Sequence, residues 1–537
     1  MNINHKTPFL SMVQMRALDA EAARVHGGFV YMQRAGKALF QKVCELLDCK
    51  TFQSHYCLNA PRRRFADTMW STRSVLILAG RGNNGGDGIV LAHLLRTHGR
   101  LVQLVLLRSA QDFQGEAAQA WDEYSAAGGL ADVLTSIDDL QKYSHETVSI
   151  VVDAITGTGL REGLRDLACE AATWLNASRL PVLSVDVPSG VNLGLAGVHV
   201  QADWTLVLGF PRLDCAFAPT GEAYGQWDVA DLAYPEELVR SFQEEQPVYV
   251  VDRQSIASML PARSHWKDKR GQGLLCVVAG SQGMTGAATL CAMAGMRSGA
   301  GMVHLAAPNS EIPVLASKLT EVVLHPQVSA QGALTQYALP EILQVMDHCA
   351  ATCVGPGLSF HDDVPRLVRR IVAQAKCPLV VDADGLNAFR ESPELLRSLA
   401  FTPVLTPHDG EWLRLFQEPA GNGLDRIKAV RKHAHDLQAV ILLKGAPTLI
   451  GAPNGDVYVL AAANSGLAKA GSGDVLAGII ASLRAQGAGA LEAALVGAWV
   501  HAATGLQGAN HFGARSVLPS DLLTLLPEIF NALETED

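Results

Sequence analysis

The sequence predicts two α/β domains in tandem, each a parallel sheet with helices on both faces. Three observations carry this expectation. At 537 residues the chain exceeds what a single hydrophobic core usually holds. Short β-branched runs alternate with helical spacing through both halves, the pattern of β-α-β units. A polar stretch with prolines near both ends, AYPEELVRSFQEEQP at 233–247, separates the two alternations. The expected boundaries are a first domain over 1–235, a linker over 236–247 and a second domain over 248–537.

In the first half the expected strands are VLILAG (75–80), LVQLVLL (101–107), SIVVDAI (149–155), PVLSVDV (181–187) and WTLVLGF (204–210). GIVLAHLLRTHG, after the first of them, has helical spacing and an expected C-cap at Gly99. Residues 49–72 break the rhythm and read as an inserted surface loop, in which Arg62, Arg63 and Arg64 are solvated. The second half begins again with LLCVVAG (274–280), MVHLAAP (302–308), LVVDAD (379–384), PVLTPH (403–408) and AVILLKG (439–445). The halves are not copies of one another.

Composition narrows the function classes. With 43 basic and 53 acidic residues the net charge is -10, so nucleic acid and anionic lipid meet no general attraction. Any phosphate must be caught locally. The ten cysteines are scattered with no CxxC pair, as expected for reduced thiols of a cytoplasmic protein. The opening MNINHKTPFLSM lacks a signal-peptide apolar core, and no apolar run reaches the ~18 residues of a membrane span. Small-molecule ligands and a homo-oligomer are expected.

In open α/β sheets, ligands lie beyond the carboxyl ends of the strands. In the first half those ends carry AGRGNNGGDG (79–88), Asp153 followed by GTGLREG (157–163), and Asp186 followed by Pro188, Ser189 and Gly190. Glycine lets backbone N–H groups approach phosphate oxygens, and a helix start adds partial positive charge. Neither a Walker P-loop nor GxGxxG is present. Asn84, Asp153 and Ser189 offer oxygen donors suited to a weakly held monovalent cation. The plainer reading of Asp153 and Ser189 is helix capping.

In the second half NSGLAKAGSGD (464–474) runs straight into the apolar VLAGIIASL. Gly471, Ser472 and Gly473 are expected to present backbone donors at a helix N-terminus, where a charged phosphoryl group is stabilised. An acidic residue beside an anion cradle is a poor phosphate ligand. Asp474 fits better as the base for a hydroxyl attacking the phosphoryl, the alternative being a carboxylate that only offsets the helix dipole. LLKGAPT (442–448), GPGLS (355–359), TPHDGE (406–411) and VAGSQGMTGAA (278–288) place Lys444, further glycines and His408 at neighbouring strand ends.

NNGGDG, DAxxGTGL and DVPSG, in this order over about residues 10–230, resemble the epimerase domain of the bifunctional NAD(P)H-hydrate repair enzymes. The resemblance implies a Rossmann-like three-layer α/β/α domain. It also implies that Asn83, Asn84, Gly85, Gly86 and Asp87, then Gly157, Thr158, Gly159, Leu160, Arg161, Glu162 and Gly163, and Asp186 bind the damaged nucleotide. Potassium would be held by Asn84, Asp153 and Ser189, and Asp186 would move the proton. From about 250 to 530 the motifs resemble the ribokinase-like, ADP-dependent dehydratase domain of the same family. Ala288, Gly357, His408 and Asp474 would then contact the hydrated nucleotide, with Asp474 catalytic. Lys444, Gly445, Ala446, Pro447, Thr448 and Gly473 would hold ADP, which brings Mg²⁺. Three positions depart from the family pattern: Lys269-Arg270 in place of a lysine-glycine pair, Asp409 in the HPGE tetrad, and Ser472 where threonine is expected.

The implied activity is repair of hydrated NADH and NADPH: epimerisation of the R and S hydrates, and dehydration of the S hydrate with ADP, giving AMP and phosphate. A ribokinase-like kinase of a small molecule such as a vitamin precursor, fused to a non-catalytic nucleotide-binding module, is the alternative.

Overall fold

The computed structural model describes residues 7–49, 57–58, 73–160, 162–191, 197–242, 247–264, 266, 268–397 and 399–535. Arg161 and nearly all of the 49–72 stretch lie outside the described residues. The chain forms two compact units, Thr7–Pro247 and the part from Val248 onward.

The first unit holds β1 (Ser74–Ala79), β2 (Val102–Leu106), β3 (Asp132–Val133), β4 (Val148–Ala154), β5 (Val182–Val185), β6 (Trp204–Leu208) and β7 (Gln226–Ala230). They form one sheet in the order β3-β2-β1-β4-β5-β6-β7, with every pair parallel. This is the Rossmann-like doubly wound order with one strand added beyond β6. Strands β1 and β4 are buried along their whole length, because helices cover both faces. The helix Asn83–Thr97 begins directly after β1, where a Cβ on Gly85 would lie 1.8 Å from the Gly80 carbonyl oxygen. Only glycine permits that approach. This helix ends at Thr97, just before Gly99, which stands at φ 72°. Within the polar stretch read as a linker, Glu236–Phe242 is helical, and Val239 joins Leu10, Met15 and Leu18 in a small core.

In the second unit, β8 (Val248–Val250), β9 (Leu274–Val278), β10 (Met302–Pro308) and β11 (Val323–Gln327) are followed by the short pair β12 (Ser329–Ala330) and β13 (Ala333–Leu334). Then come β14 (Ala351–Val354), β15 (Leu379–Val381), β16 (Val404–Leu405), β17 (Val440–Leu443), β18 (Thr448–Gly451) and β19 (Val457–Leu460). The large sheet runs β11-β10-β9-β14-β15-β16-β17-β18-β19-β8. It is parallel from β11 to β17, and β18 and β19 then fold back antiparallel. This hairpin is the main feature absent from the sequence expectation. Among the described residues no helix is long and apolar enough to cross a membrane.

The helix Ser472–Ala485 is apolar on nearly all sides and correspondingly buried. It crosses the helix Thr285–Arg297 closely enough that a Cβ on Gly478 would lie 2.3 Å from the Cys291 carbonyl oxygen. This contact fixes the position of the helix that carries Asp474. For Gly478→Ala the helix-propensity gain is ~1 kcal/mol, whereas overpacking a fixed core costs about 1–3 kcal/mol. The substitution is expected to destabilise the second unit by up to about 2 kcal/mol net, read as a lower urea midpoint. A higher midpoint would contradict the close crossing.

Candidate active sites

In the first unit a cavity of ≈ 660 Å³ opens at the carboxyl ends of β1, β4, β5 and β6. Strands β1 and β4 flank the point where strand order reverses, the place where such sheets bind ligands. Of the expected residues, Asn83, Asn84, Asp87, Gly157, Thr158, Gly159, Leu160 and Asp186 line it. Gly85 and Gly86 are buried behind it, and Glu162 and Gly163 are not in its wall.

Asp153 and Ser189 cap no helix. Asp153 is completely buried at the end of β4, where Oδ2 accepts from Ser184 Oγ (2.8 Å) and Ser189 N (2.9 Å). Its Oδ1 accepts from Ser189 Oγ at 2.6 Å and from Ile155 N at 3.3 Å. Burial pushes this carboxyl above its usual range, against the four hydrogen bonds that favour its charge. No basic side chain offsets it among these partners. Beside it, Asn84 Nδ2 and Thr156 Oγ1 are buried and unpartnered. The buried carboxylate and the hydroxyls of Ser184, Ser189 and Thr156 are hard oxygen groups of the kind a monovalent cation takes.

Asp186 sits at φ 61° at the end of β5. Its Oδ1 accepts from Arg212 Nη1 and Leu208 N, both at 3.2 Å, and Arg212 Nη2 donates to its main-chain oxygen at 3.1 Å. Arg212 is buried, so the pair is held rigidly. Asp87 has no such partner: burial first, then the charges of Asp186 and Asp19, push its carboxyl well above the usual range. Asp19 accepts from Tyr234 Oη at 2.6 Å, and Tyr234 stacks on Tyr31 with centroids 5.0 Å apart. Asp19, Tyr31 and Tyr234 line the cavity but lie outside every motif, so sequence spacing gave no sign of them.

In the second unit a cavity of ≈ 610 Å³ lies at the carboxyl ends of β15, β16 and β17. It is lined by His408, Lys444, Gly445, Ala446, Thr448, Gly473 and Asp474 among the expected residues, and also by Asp382, Glu411 and His501. Gly471, at φ 98°, caps the helix Ser472–Ala485 and turns the chain so that Asp474 falls in its first turn. The Ser472 N–H donates to the Lys469 carbonyl at 3.2 Å, so this amide faces its own loop rather than a ligand. Lys444 Nζ donates to Asp382 Oδ1 at 2.8 Å and lies 3.5 Å from Glu411 Oε2. Thr406 Oγ1 also donates to Asp382 Oδ1, at 2.8 Å. Asp474 is pushed up to about 7, by burial first and then by the Asp382 charge, with Lys444 opposing.

His408 has a structural duty as well. Its Nδ1 accepts from Gly410 N (3.0 Å) and Glu411 N (3.2 Å), while its own N–H donates to Glu411 Oε2 at 2.9 Å. It thereby caps the helix Asp409–Phe416 and aims Glu411 at the cavity. Pro447 is outside the wall, as are Ala288 and Gly357. Ala288 is buried beneath Gly280, and Gly357 packs against Met284 and Ala287 at φ 62°. Four carboxyl groups (Asp382, Asp384, Glu411 and Asp474) act on this site against the ammonium groups of Lys444 and Lys469, so an anionic diphosphate meets an excess of acidic groups there, which fits a diphosphate bound with Mg²⁺.

A crevice at the switch point of a Rossmann-like sheet, and a second cavity at the strand ends of another α/β sheet beside a glycine-rich helix start, give the chain the layout of a two-site α/β enzyme. Residues 275–528 match the family described as NAD(P)H-hydrate dehydratase, and residues 29–213 the family described as YjeF-related protein N-terminus. A bifunctional NAD(P)H-hydrate repair enzyme of Moorella thermoacetica is 36% identical over 474 residues, covering 87% of this chain and 89% of the relative. One of Escherichia coli is 30% identical, covering 97% and 94%. The crystal structure of an ADP/ATP-dependent NAD(P)H-hydrate dehydratase of Bacillus subtilis, co-crystallised with ATP and Mg²⁺, is 27% identical with a TM-score of 0.44, over 52% of this chain and 97% of that one. The chain belongs to the family of bifunctional NAD(P)H-hydrate repair enzymes.

Placing Asp474 in this cavity costs stability in a pH-dependent way. Below about pH 4 it is protonated folded and unfolded alike; between about 4 and about 7 only the unfolded chain releases the proton. Its stabilising contribution is therefore lost as pH rises through about 7. Asp474→Asn is expected to match the parent protein in urea unfolding at pH 4 and to exceed it at pH 8 by on the order of 1–4 kcal/mol. A variant less stable than the parent at pH 8 would contradict the burial.

Proposed function

We propose that the protein repairs hydrated NADH and NADPH: the first unit interconverts the epimers at C6, and the second dehydrates the S epimer with ADP. The observation that carries the second assignment is Asp474, a largely buried carboxyl in the first turn of a helix whose N-terminus faces the cavity. Hydroxide is a poor leaving group, and phosphorylation makes the C6 oxygen a good one. The C6 hydroxyl attacks the β-phosphoryl of ADP while Asp474 takes its proton, and AMP leaves. The C6–O bond then breaks with its electron pair going to phosphate, pushed by the ring nitrogen lone pair. Loss of a C5 proton restores the double bond. The amides of Gly471 and Gly473 and the Lys444 ammonium meet the charge on the moving phosphoryl. Bound with ADP, Mg²⁺ would supply further charge neutralisation, and Asp382 and Glu411, which line the cavity, would hold it.

The first assignment is supported by the crevice at the switch point and by the contrast between Asp186, paired with Arg212, and the unpaired Asp87. Asp186 moves the proton at the C6 hydroxyl. Asn84, Asp153 and Ser189 would hold potassium, which would supply positive charge beside the buried Asp153 carboxyl. The kinase alternative predicts a stable phosphoester as product.

Two variants separate the sites. Asp474→Asn is expected to lower ADP-dependent recovery of 340 nm absorbance from hydrated NADH by ~10²–10⁴ with epimerisation intact. Wild-type turnover would remove Asp474 from the mechanism. Asp153→Ala is expected to lower epimerase activity and abolish its potassium dependence while dehydration continues. Equal epimerisation by both proteins, with or without potassium, would remove the ion.

A further inference from the structure

The long helix Ala490–Phe512 brings a side chain to the second cavity that none of the sequence motifs marks. His501 Nε2 lies 2.9 Å from Ser472 Oγ. Ser472 is buried and stands between Gly471 and Gly473, whose amides form the cradle. With its N–H already given to Lys469, Ser472 meets His501 through its hydroxyl and also through its main chain. Two glycines flanking one serine make a stretch with high backbone freedom. The histidine is the side-chain tether at its middle.

The tether is rigid at its far end. A Cβ on Gly497, one turn before His501, would lie 2.5 Å from Ile480 Cγ1, so the two helices cross there at close range. Thr504 Oγ1 donates to the Val500 carbonyl, and the helix is buried on both sides of the histidine. Burial, opposed by the Ser472 main-chain hydrogen bond and aided by the Lys444 charge, pushes His501 down to about 4, so the ring is neutral at neutral pH. A neutral imidazole offers one donor and one acceptor. It is therefore suited to hold a hydroxyl and unsuited to carry a proton between reactants.

We propose that His501 is a positioning residue of the dehydratase site: by holding Ser472 Oγ it fixes the flanking Gly471 and Gly473 amides in the geometry that receives the transferring phosphoryl. This rests on the reading of the second cavity as the ADP-dependent site. A cradle displaced by about 1 Å costs on the order of 10²-fold in rate, and the loss falls on the transition state more than on bound ADP.

The test is a double-mutant cycle on the full chain with hydrated NADH and ADP. His501→Phe and Ser472→Ala are each expected to lower kcat by about 10–100-fold with the KM for ADP changed less than about threefold. The double variant is expected to be no slower than the worse single one, and His501→Gln, which can still hold the hydroxyl, to recover most of the rate. Losses that multiply in the double variant, or a raised KM at unchanged kcat, overturn the proposal. Amide hydrogen exchange over residues 469–475 gives a readout independent of turnover: at least about tenfold faster in His501→Phe, unaltered in His501→Gln. Unchanged exchange in the phenylalanine variant also overturns it. Should phenylalanine disturb folding, Ser472→Ala carries the same expectations. Absence of ADP-dependent dehydration in the parent protein counts against the functional reading, and the exchange measurement still decides the tether.

Discussion

The second site depends on one buried ion pair, Lys444 Nζ to Asp382 Oδ1 at 2.8 Å. It links the ends of β17 and β15 across β16 and sets the charge balance of the cavity. Without Lys444, the carboxyl groups of Asp382, Glu411 and Asp474 would face one another unrelieved, and like charges at such range cannot all ionise. With it, Asp382 accepts from a cation and a hydroxyl, and Asp474 is the carboxyl displaced upward, by burial first and by the Asp382 charge second. A carboxyl brought near 7 is the form in which an aspartate works as a base at neutral pH. The same ammonium stands 3.4 Å from where a Gly473 side chain would begin, so it also reaches the cradle.

The first site solves a different electrostatic problem with the same architecture. Its buried carboxylate, Asp153, is surrounded by hydroxyl and amide donors rather than by a lysine. The second site instead meets its buried carboxylate with an ammonium carried on the chain. Both sites lie at the carboxyl ends of parallel strands, where glycines bring main-chain groups close to the ligand. In both, neighbouring carboxyl groups differ in their partners: Asp186 is paired with Arg212 while Asp87 has no basic partner, and Asp382 is paired with Lys444 while Asp474 is displaced upward.

The glycine-rich strand ends were legible in the sequence because they obey local rules: Gly85 and Gly471 answer to close approach and positive φ, which leave a mark in composition. The buried strands were legible for a similar reason, as runs of β-branched residues. Strand β7, QWDVA, was not, since its polar positions break the run; Asp228 is accommodated there by an ion pair with Lys42. Nor was the β18–β19 hairpin, which follows the LLKGAPT motif so closely that its residues read as loop. The side chains that set the electrostatics were hidden most completely. Asp19, Tyr234 and His501 reach their cavities from helices and a loop distant in sequence, and no spacing rule connects Ser472 to a histidine 29 residues away. His408 was visible, but its helix-capping bonds were not.

If the C6 hydroxyl is phosphorylated and leaves as phosphate, its oxygen ends in inorganic phosphate. Hydrated NADH carrying ¹⁸O at that hydroxyl, dehydrated with ADP, is expected to deliver the label to phosphate, one atom for each nicotinamide restored. Label released to water, with none in phosphate, would contradict it.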